Sequence, residues 1–219
     1  MQPGLYKMSF SEYAAIDAVN CTTLVAYRKS AAHALVEKED TPAMSLGRAI
    51  HAATLEPHIF ERDWAVMPEG MTRRGKKWDE FQADNAGKEI ISASDMESIM
   101  GISASLNSGR YETARRWLEE CGDNQEMVLV WVHPQFGCLC KARLDLFSKV
   151  NGVILDLKSC SNAEPKAWIR TTFNYGGQPH WQGAWYLEGA QAVIGPEMKH
   201  FRLILLETKP PYGISVLPL

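Results

Sequence analysis

Two carboxylates and a lysine fall where a hairpin would gather them. In Val153-Ile154-Leu155-Asp156-Leu157-Lys158, successive side chains of a strand point to opposite faces. Val153, Leu155 and Leu157 then face a core, and Ile154, Asp156 and Lys158 face the other way. An acid and a base at the end of an apolar strand are costly to bury without a partner. The partner is Asp145, reached through Asn151-Gly152, a turn signal whose residues tolerate positive φ. A two-residue loop at 151–152 sets Asp145 opposite Lys158, and a four-residue loop at 149–152 sets it opposite Asp156. Either register puts Asp145, Asp156 and Lys158 on one face, whereas a three-residue loop would turn Asp145 away. Directly opposed residues have Cβ atoms about 4.5–5.5 Å apart, so two carboxylates there repel and shift each other's ionisation. A divalent cation removes the conflict. Hard carboxylate oxygens suit Mg²⁺ or Mn²⁺, and such an ion can polarise a phosphodiester and acidify a bound water. A lysine beside it can orient or deprotonate that water, or stabilise charge on the phosphate. Asp-x-Lys alone is as readily a salt-bridged strand end; the hairpin and a later helical motif favour a site.

The elements that must position these residues can be read along the chain. Residues 8–38 read as largely helical, with Leu24, Tyr27, Ala31, Ala34 and Leu35 at helical spacing. A second helix is expected over 45–55, with Ser45 as N-cap and Pro57 just past its end. Residues 68–77 form a polar, basic loop, followed by helices near 77–85, 94–107 and 111–121. The pattern then turns to strands at 127–132, 138–148 and 153–158. Helices at 163–172 and 179–189, each with a proline in the first turn, lead to strands at 201–207 and 214–217. This order predicts an α/β fold with a mixed central sheet, an antiparallel meander flanked by helices. It is expected to form one domain over 1–219, with a helical N-terminal elaboration at about 8–120.

Asp145, then Asp156-Leu157-Lys158, then Gln182-Gly183-Ala184-Trp185-Tyr186 resembles the signature of the RecB-like PD-(D/E)xK nucleases, which is a first acid, (D/E)xK and QxxxY. Gly47-Arg48-Ala49-Ile50-His51 resembles the helical histidine motif of that superfamily. Gly47–Pro57, Arg73–Trp78, Asp156–Ser159 and His180–Tyr186 are most similar to the exonuclease VIII (RecE-like) phage recombination exonucleases. The resemblance runs from about Met8 to Val216. It implies a PD-(D/E)xK nuclease fold and a Mg²⁺-dependent 5′→3′ exonuclease on double-stranded DNA ends. Such enzymes leave a 3′ single strand for an annealing protein and often act as ring-shaped homo-oligomers. It implies further that His51, Asp145, Asp156 and the Leu157 backbone carbonyl bind metal, and that Lys158 is the catalytic lysine. Gln182 and Tyr186 would support the site and contact the DNA backbone. The family pattern leads one to expect a helical extension after the last strand, and the sequence ends soon after that strand.

Other residues have a bland reading beside the functional one. His51, taken alone, is as readily a core or surface histidine. Glu126 opens the first strand of the meander and could reach a second metal, or simply be a solvated strand-end carboxylate. Arg73, Arg74, Lys76 and Lys77 are the densest basic cluster and the best candidates for phosphate contact; the alternative is a surface loop. Trp181 and Trp185 read as a core stripe rather than a base-stacking platform. Cys138-x-Cys140 has the wrong spacing for the usual zinc pairs, and with no cysteine after Cys160 no iron–sulfur cluster is expected.

Composition bounds the rest. With 46% hydrophobic and 22% charged residues, the 219-residue chain has material for a sizeable core and needs no disulfide framework. A net charge of −3 excludes a general nucleic-acid coat, so any DNA contact must be local or cation-mediated. Five cysteines without a regular framework suit a reducing compartment. No apolar run approaches the ~20 residues of a membrane span, and a cytoplasmic location without membrane partners is expected. The competing functions are an endonuclease of the same superfamily and an inactive DNA-binding module; the intact Asp145, Asp156 and Lys158 favour an enzyme.

Overall fold

The computed structural model describes residues 1–36, 40–122 and 124–219. An edge strand, β1 (Gly4–Lys7), is followed by three short helices, α1 (Phe10–Ala15), α2 (Cys21–Tyr27) and α3 (Ala31–Ala34). The long helix expected over 8–38 is broken because Ser9, Asn20 and Ser30 each accept a following backbone N–H and start a new helix. Val19 between them is drawn out to bridge Cys140. The end of that expected helix, Glu37 and Lys38, lies outside the described residues. α4 (Pro42–Leu55) starts earlier than expected. Thr41, not Ser45, is its N-cap, with the hydroxyl accepting from the Met44 N–H and Pro42 in the first turn. Pro57 then opens a helix of its own, α5 (Pro57–Asp63). β2 (Trp64–Val66) and β3 (Glu89–Ile91), separated by α6 (Lys76–Asp84), form a small parallel pair. α7 (Ala93–Asn107) and α8 (Glu112–Cys121) follow. The helical N-terminal region thus also carries two short strands.

The remainder is β4 (Gln125–Val132), β5 (Leu139–Ser148), β6 (Val153–Cys160), α9 (Pro165–Asn174), α10 (Pro179–Val193), β7 (His200–Glu207) and β8 (Ile214–Pro218). The main sheet has the order β1-β4-β5-β6-β7-β8. All neighbours are antiparallel except β6 and β7, which are joined through α9 and α10 and run parallel. This is the expected α/β fold, a mixed sheet with an antiparallel meander flanked by helices.

Helices cover both faces of the sheet. On one, Ile50 and Leu55 of α4 and Ile99 and Ile102 of α7 pack with Leu146, Leu155 and Leu157. On the other, Ala190 of α10 and Trp168 of α9 pack with Leu129, Trp131, Leu144, Ile154 and Leu203. Ile154, expected to point away from the core, therefore has a second core of its own. Two glycines let α10 lie close: a Cβ on Gly189 would come within 2.7 Å of the Trp131 ring, and one on Gly183 within 2.9 Å of Phe201. The β5–β6 hairpin takes the four-residue loop, with Ser148 paired to Val153. That register sets Asp145 opposite Asp156. Among the described residues, no helix is long and apolar enough to cross a membrane.

Candidate active site at the parted β5–β6 ladder

The pairing of β5 with β6 runs through Ser148↔Val153, Phe147↔Ile154 and Leu146↔Leu155 and stops there. The next opposed pair is Asp145 and Asp156. On its far side β6 stays paired to β7 as far as Cys160↔Glu207, so β6 is held while β5 leaves it. The backbone groups freed at the fork find other partners. The Leu157 N–H donates to Asp145 Oδ2 at 2.7 Å. The Leu157 carbonyl lies 3.0 Å from Nε2 of His51, carried by α4.

β5 also loses its alternation at this point. Leu144 and Phe147, three residues apart, both pack under α10, so the strand slips by one position between them. Across the sheet, β4 pairs with β5 at Gln125↔Leu146 and Met127↔Leu144 but not at Glu126 and Asp145, and Glu126 has a φ of 52°. A non-glycine residue in that region is strained, at a cost of order 1–2 kcal/mol. The slip collects side chains from two strands and a helix. One ligand atom each from His51, Glu126 and Asp145 lies within 4.8 Å of the others. His51 Nδ1 is 3.6 Å from Asp145 Oδ2 and 4.0 Å from Glu126 Oε1.

Asp156 is held from the opposite layer. Its Oδ1 accepts from Gln182 Nε2 of α10 at 2.6 Å, and its Oδ2 lies 2.5 Å from Lys158 Nζ. The Asp156 side chain is 2% exposed and that of Lys158 31%, so the lysine reaches the opening while the acid does not. Asp156 Oδ2 is buried and has no aligned hydrogen bond, only the ion pair. Tyr186, one turn beyond Gln182, packs edge-on against Phe201. Burial and then the charges of Asp156 and Asp145 push its hydroxyl well above the usual range.

The ionisation pattern follows from crowding acids into a dry place. Burial, then the charge of Asp156, pushes Asp145 up to about 8, against Lys158, the Leu157 N–H and Arg143. Burial, then Asp145, pushes Glu126 up to about 7, against Arg143 and His51. Burial lowers His51 and keeps the ring neutral. Burial alone would lower Lys158 too, but Asp156 and Asp145 outweigh it and hold the ammonium above its ordinary value.

These donors suit a small hard cation. If the Leu157 carbonyl accepts from Nε2, the neutral ring turns its Nδ1 lone pair to two carboxylates, an arrangement that a proton or a cation between them satisfies. The 3.0 Å from Nε2 to the Leu157 oxygen is also about the spacing of neighbouring octahedral ligands on bonds of about 2.1 Å. Two carboxylates that take up protons when alone can exchange them for one divalent ion.

The structure thus brings together His51, Glu126, Asp145, Asp156, the Leu157 carbonyl, Lys158, Gln182 and Tyr186. It places Arg73, Arg74, Lys76 and Lys77 elsewhere, exposed beside the β2–β3 pair. Arg73 donates to the Ile90 carbonyl at 3.0 Å and lies over the Trp78 ring, and Lys76 pairs with Glu80. Among the described residues, no ion pair or hydrogen bond joins these four to the carboxylates. Trp185 is core as expected, against Trp131 and donating to the Lys141 carbonyl. Trp181 is not: it stands in the first turn of α10, where Arg28 of α2 rather than the sheet meets its ring, and it is 36% exposed.

Sequence reading missed the cations behind the acids. Arg143 Nε lies 2.6 Å from Glu126 Oε2, out of line for a hydrogen bond, with Glu56 on its other side. Lys141 is buried and donates to the carbonyls of Tyr13, Ala14 and Ile16, which ties the end of α1 to β5. The signal was there, since Lys141, Arg143 and Asp145 alternate along a strand that is otherwise apolar up to its last residue, Ser148.

No curated protein matches this chain. Among solved structures, a "Putative exonuclease" from Eubacterium rectale is similar in fold, with a TM-score of 0.58 at 13% sequence identity over 98% of this chain and 78% of that one. The model of one protein family, the PDDEXK-like domain of unknown function (DUF3799), matches residues 9–217, and the chain belongs to that family.

Proposed function

We propose that this protein is a divalent-metal-dependent deoxyribonuclease, and specifically an exonuclease that works 5′→3′ from double-stranded DNA ends in phage-type recombination. The observation that carries the reading is the fork between β5 and β6, where Asp145, Asp156 and Lys158 meet the donors His51 and Glu126. Membership of a PDDEXK-like family and the fold of the Eubacterium rectale protein support it. The sequence resemblance to RecE-like enzymes supports the polarity and the duplex end.

Asp145, Asp156, His51, Glu126 and the Leu157 carbonyl would hold Mg²⁺ or Mn²⁺. When bound, the ion supplies Lewis acidity toward a phosphate oxygen and toward a water. The chain's own groups have distinct tasks. Lys158, kept charged by Asp156 and Asp145, presents an ammonium donor to the charge that develops on the phosphate. Gln182 fixes the rotation of the Asp156 carboxylate by binding one of its oxygens. Arg143 pairs with Glu126 and limits the repulsion between the two acids. Tyr186, held protonated, is a donor for the DNA backbone.

The test is digestion of 5′- and 3′-end-labelled linear duplex and of closed circular DNA, with Mg²⁺, Mn²⁺, Ca²⁺ or chelator. The expected result is stepwise loss of the 5′ strand from linear DNA with Mg²⁺ or Mn²⁺ and no turnover with Ca²⁺ or chelator. Cleavage of circles would make it an endonuclease, and cleavage in chelator would overturn the metal mechanism.

A further inference from the structure

Two stretches of this acidic chain contain no acid at all. Residues 18–36 and 165–187 hold Arg28, Lys29, Lys166 and Arg170 and not one of the 26 aspartates and glutamates. The fold puts the two stretches side by side: α2 packs on α10, and the Arg28 guanidinium lies 5.1 Å from the centre of the Trp181 ring. Around that contact is an aromatic surface. Phe173 of α9 stacks on His180 at 5.3 Å with the planes 14° apart, and His180 meets Trp181 edge to face. Tyr175 is 89% exposed, and Phe173 and Tyr27 are also exposed. Beneath Tyr175, Arg170, Ser161 and Asn162 line a cavity of about 390 Å³ that begins at Cys160, two residues past Lys158.

The surface is continuous with the site. Trp181 adjoins Gln182, which binds Asp156, and Cys21 at the start of α2 feels the charge of Lys158. Planar rings with exposed faces, interleaved with cations, fit a polyanion whose units carry flat apolar faces; Glu164, the N-cap of α9 near Lys166 and Arg170, borders this surface. Stacking on aromatic side chains and cation contact to the backbone is how single strands are bound without sequence preference. A paired duplex offers no free base faces for such rings.

We propose that the α2–α9–α10 face, with Tyr175, Trp181, Phe173 and His180 as stacking rings and Arg28 and Arg170 as phosphate partners, binds the unpaired strand of a DNA end beside the β5–β6 fork. This rests on the nuclease reading and adds to it where the separated strand lies. The test is fluorescence anisotropy of a labelled 20-nucleotide oligothymidylate with the full chain in chelator, so that binding is read without cleavage. Tyr175→Ala and Trp181→Ala are each expected to weaken binding about tenfold, within the range for one stacked base, and Trp181→Phe to restore most of it. Arg170→Ala is expected to reduce the slope of log affinity on log salt by about 0.7. Tyr175 is so exposed that its removal leaves no cavity, which keeps the test independent of folding. Wild-type affinity in both alanine variants, in a protein that cleaves duplex with Mg²⁺, would overturn the proposal and leave the nuclease reading standing. Weakened binding in a protein that cleaves nothing would support the surface and sink the nuclease reading. If Trp181→Ala instead converts a dimer to a monomer with oligothymidylate affinity unchanged, the face is a self-interface and the proposal falls.

Discussion

Lys158 has a place on the strand that separates its role from that of its neighbours. It ends an apolar run, reaches the opening, and fills no core space. Lys158→Ala is therefore expected to lower the cleavage rate at least about a hundredfold while leaving DNA affinity within a few-fold. An interaction made with developing charge acts on turnover rather than on ground-state binding. Wild-type turnover in that variant would make Lys158 an ordinary salt-bridge partner of Asp156. The acids beside it set a pH dependence. Asp145 and Glu126 have folded pKa values of about 8 and about 7, above the ordinary carboxylate range near 4. Between those limits the folded chain holds protons that the unfolded chain has released. Stability of the cation-free protein must then fall as pH rises from about 5 to 8, by up to about 1.4 kcal/mol per pH unit for each group. Urea melts in chelator at several pH values check this; a flat profile would show that the two acids are ionised in the fold.

α10 is the element on which the site leans, because it carries Gln182 and Tyr186 and is seated by its glycines. Gly189→Ala forces a Cβ against the Trp131 ring and is expected to destabilise the fold by about 1–3 kcal/mol, read as a lower midpoint in urea. An unchanged midpoint would mean that α10 can shift off β4 without penalty. At this scale the sequence was partly legible. The strand alternation of 153–158 and the spacing of Gln182 and Tyr186 are local patterns, and they named the site's core. The choice between two hairpin loops was not legible: Asn151-Gly152 suits both, and a shift of two residues leaves every side chain on its own face, so alternation does not distinguish the observed Ser148↔Val153 pairing from the other. β1 was missed because four residues at a sheet edge owe their conformation to β4. The cap at Thr41 was missed because Ser45 is an equally good capping residue and only the helix's full length decides. The slip at Asp145, which brings Glu126 and His51 within reach, depends on contacts among three strands and has no signature in any one of them.

For the molecule as a whole, cation binding and folding are linked. An ion that binds the folded chain alone stabilises it by about 2.7 kcal/mol at a hundred times its Kd. Mn²⁺ is expected to raise the Tm of the wild type and to leave that of Asp145→Asn nearly unchanged. Because protons and the ion compete for the same oxygens, the rise should be larger at pH 8 than at pH 6. Equal shifts in wild type and variant would place the ion elsewhere on the chain.

The loop at 149–152 has the outward marks of a permissive site: it is a turn, and Val150 is 96% exposed. Surface turns ordinarily absorb insertions and deletions. Here the loop counts residues for Asp145, since its length decides which residue faces Asp156. Substitutions at the exposed Val150 should pass almost unnoticed, while loss of a single residue should cost activity without altering any residue of the site. In descent, this turn would then drift in composition except at Gly152, whose positive φ and close approach to the Glu197 carbonyl exclude a side chain, and stay fixed in length.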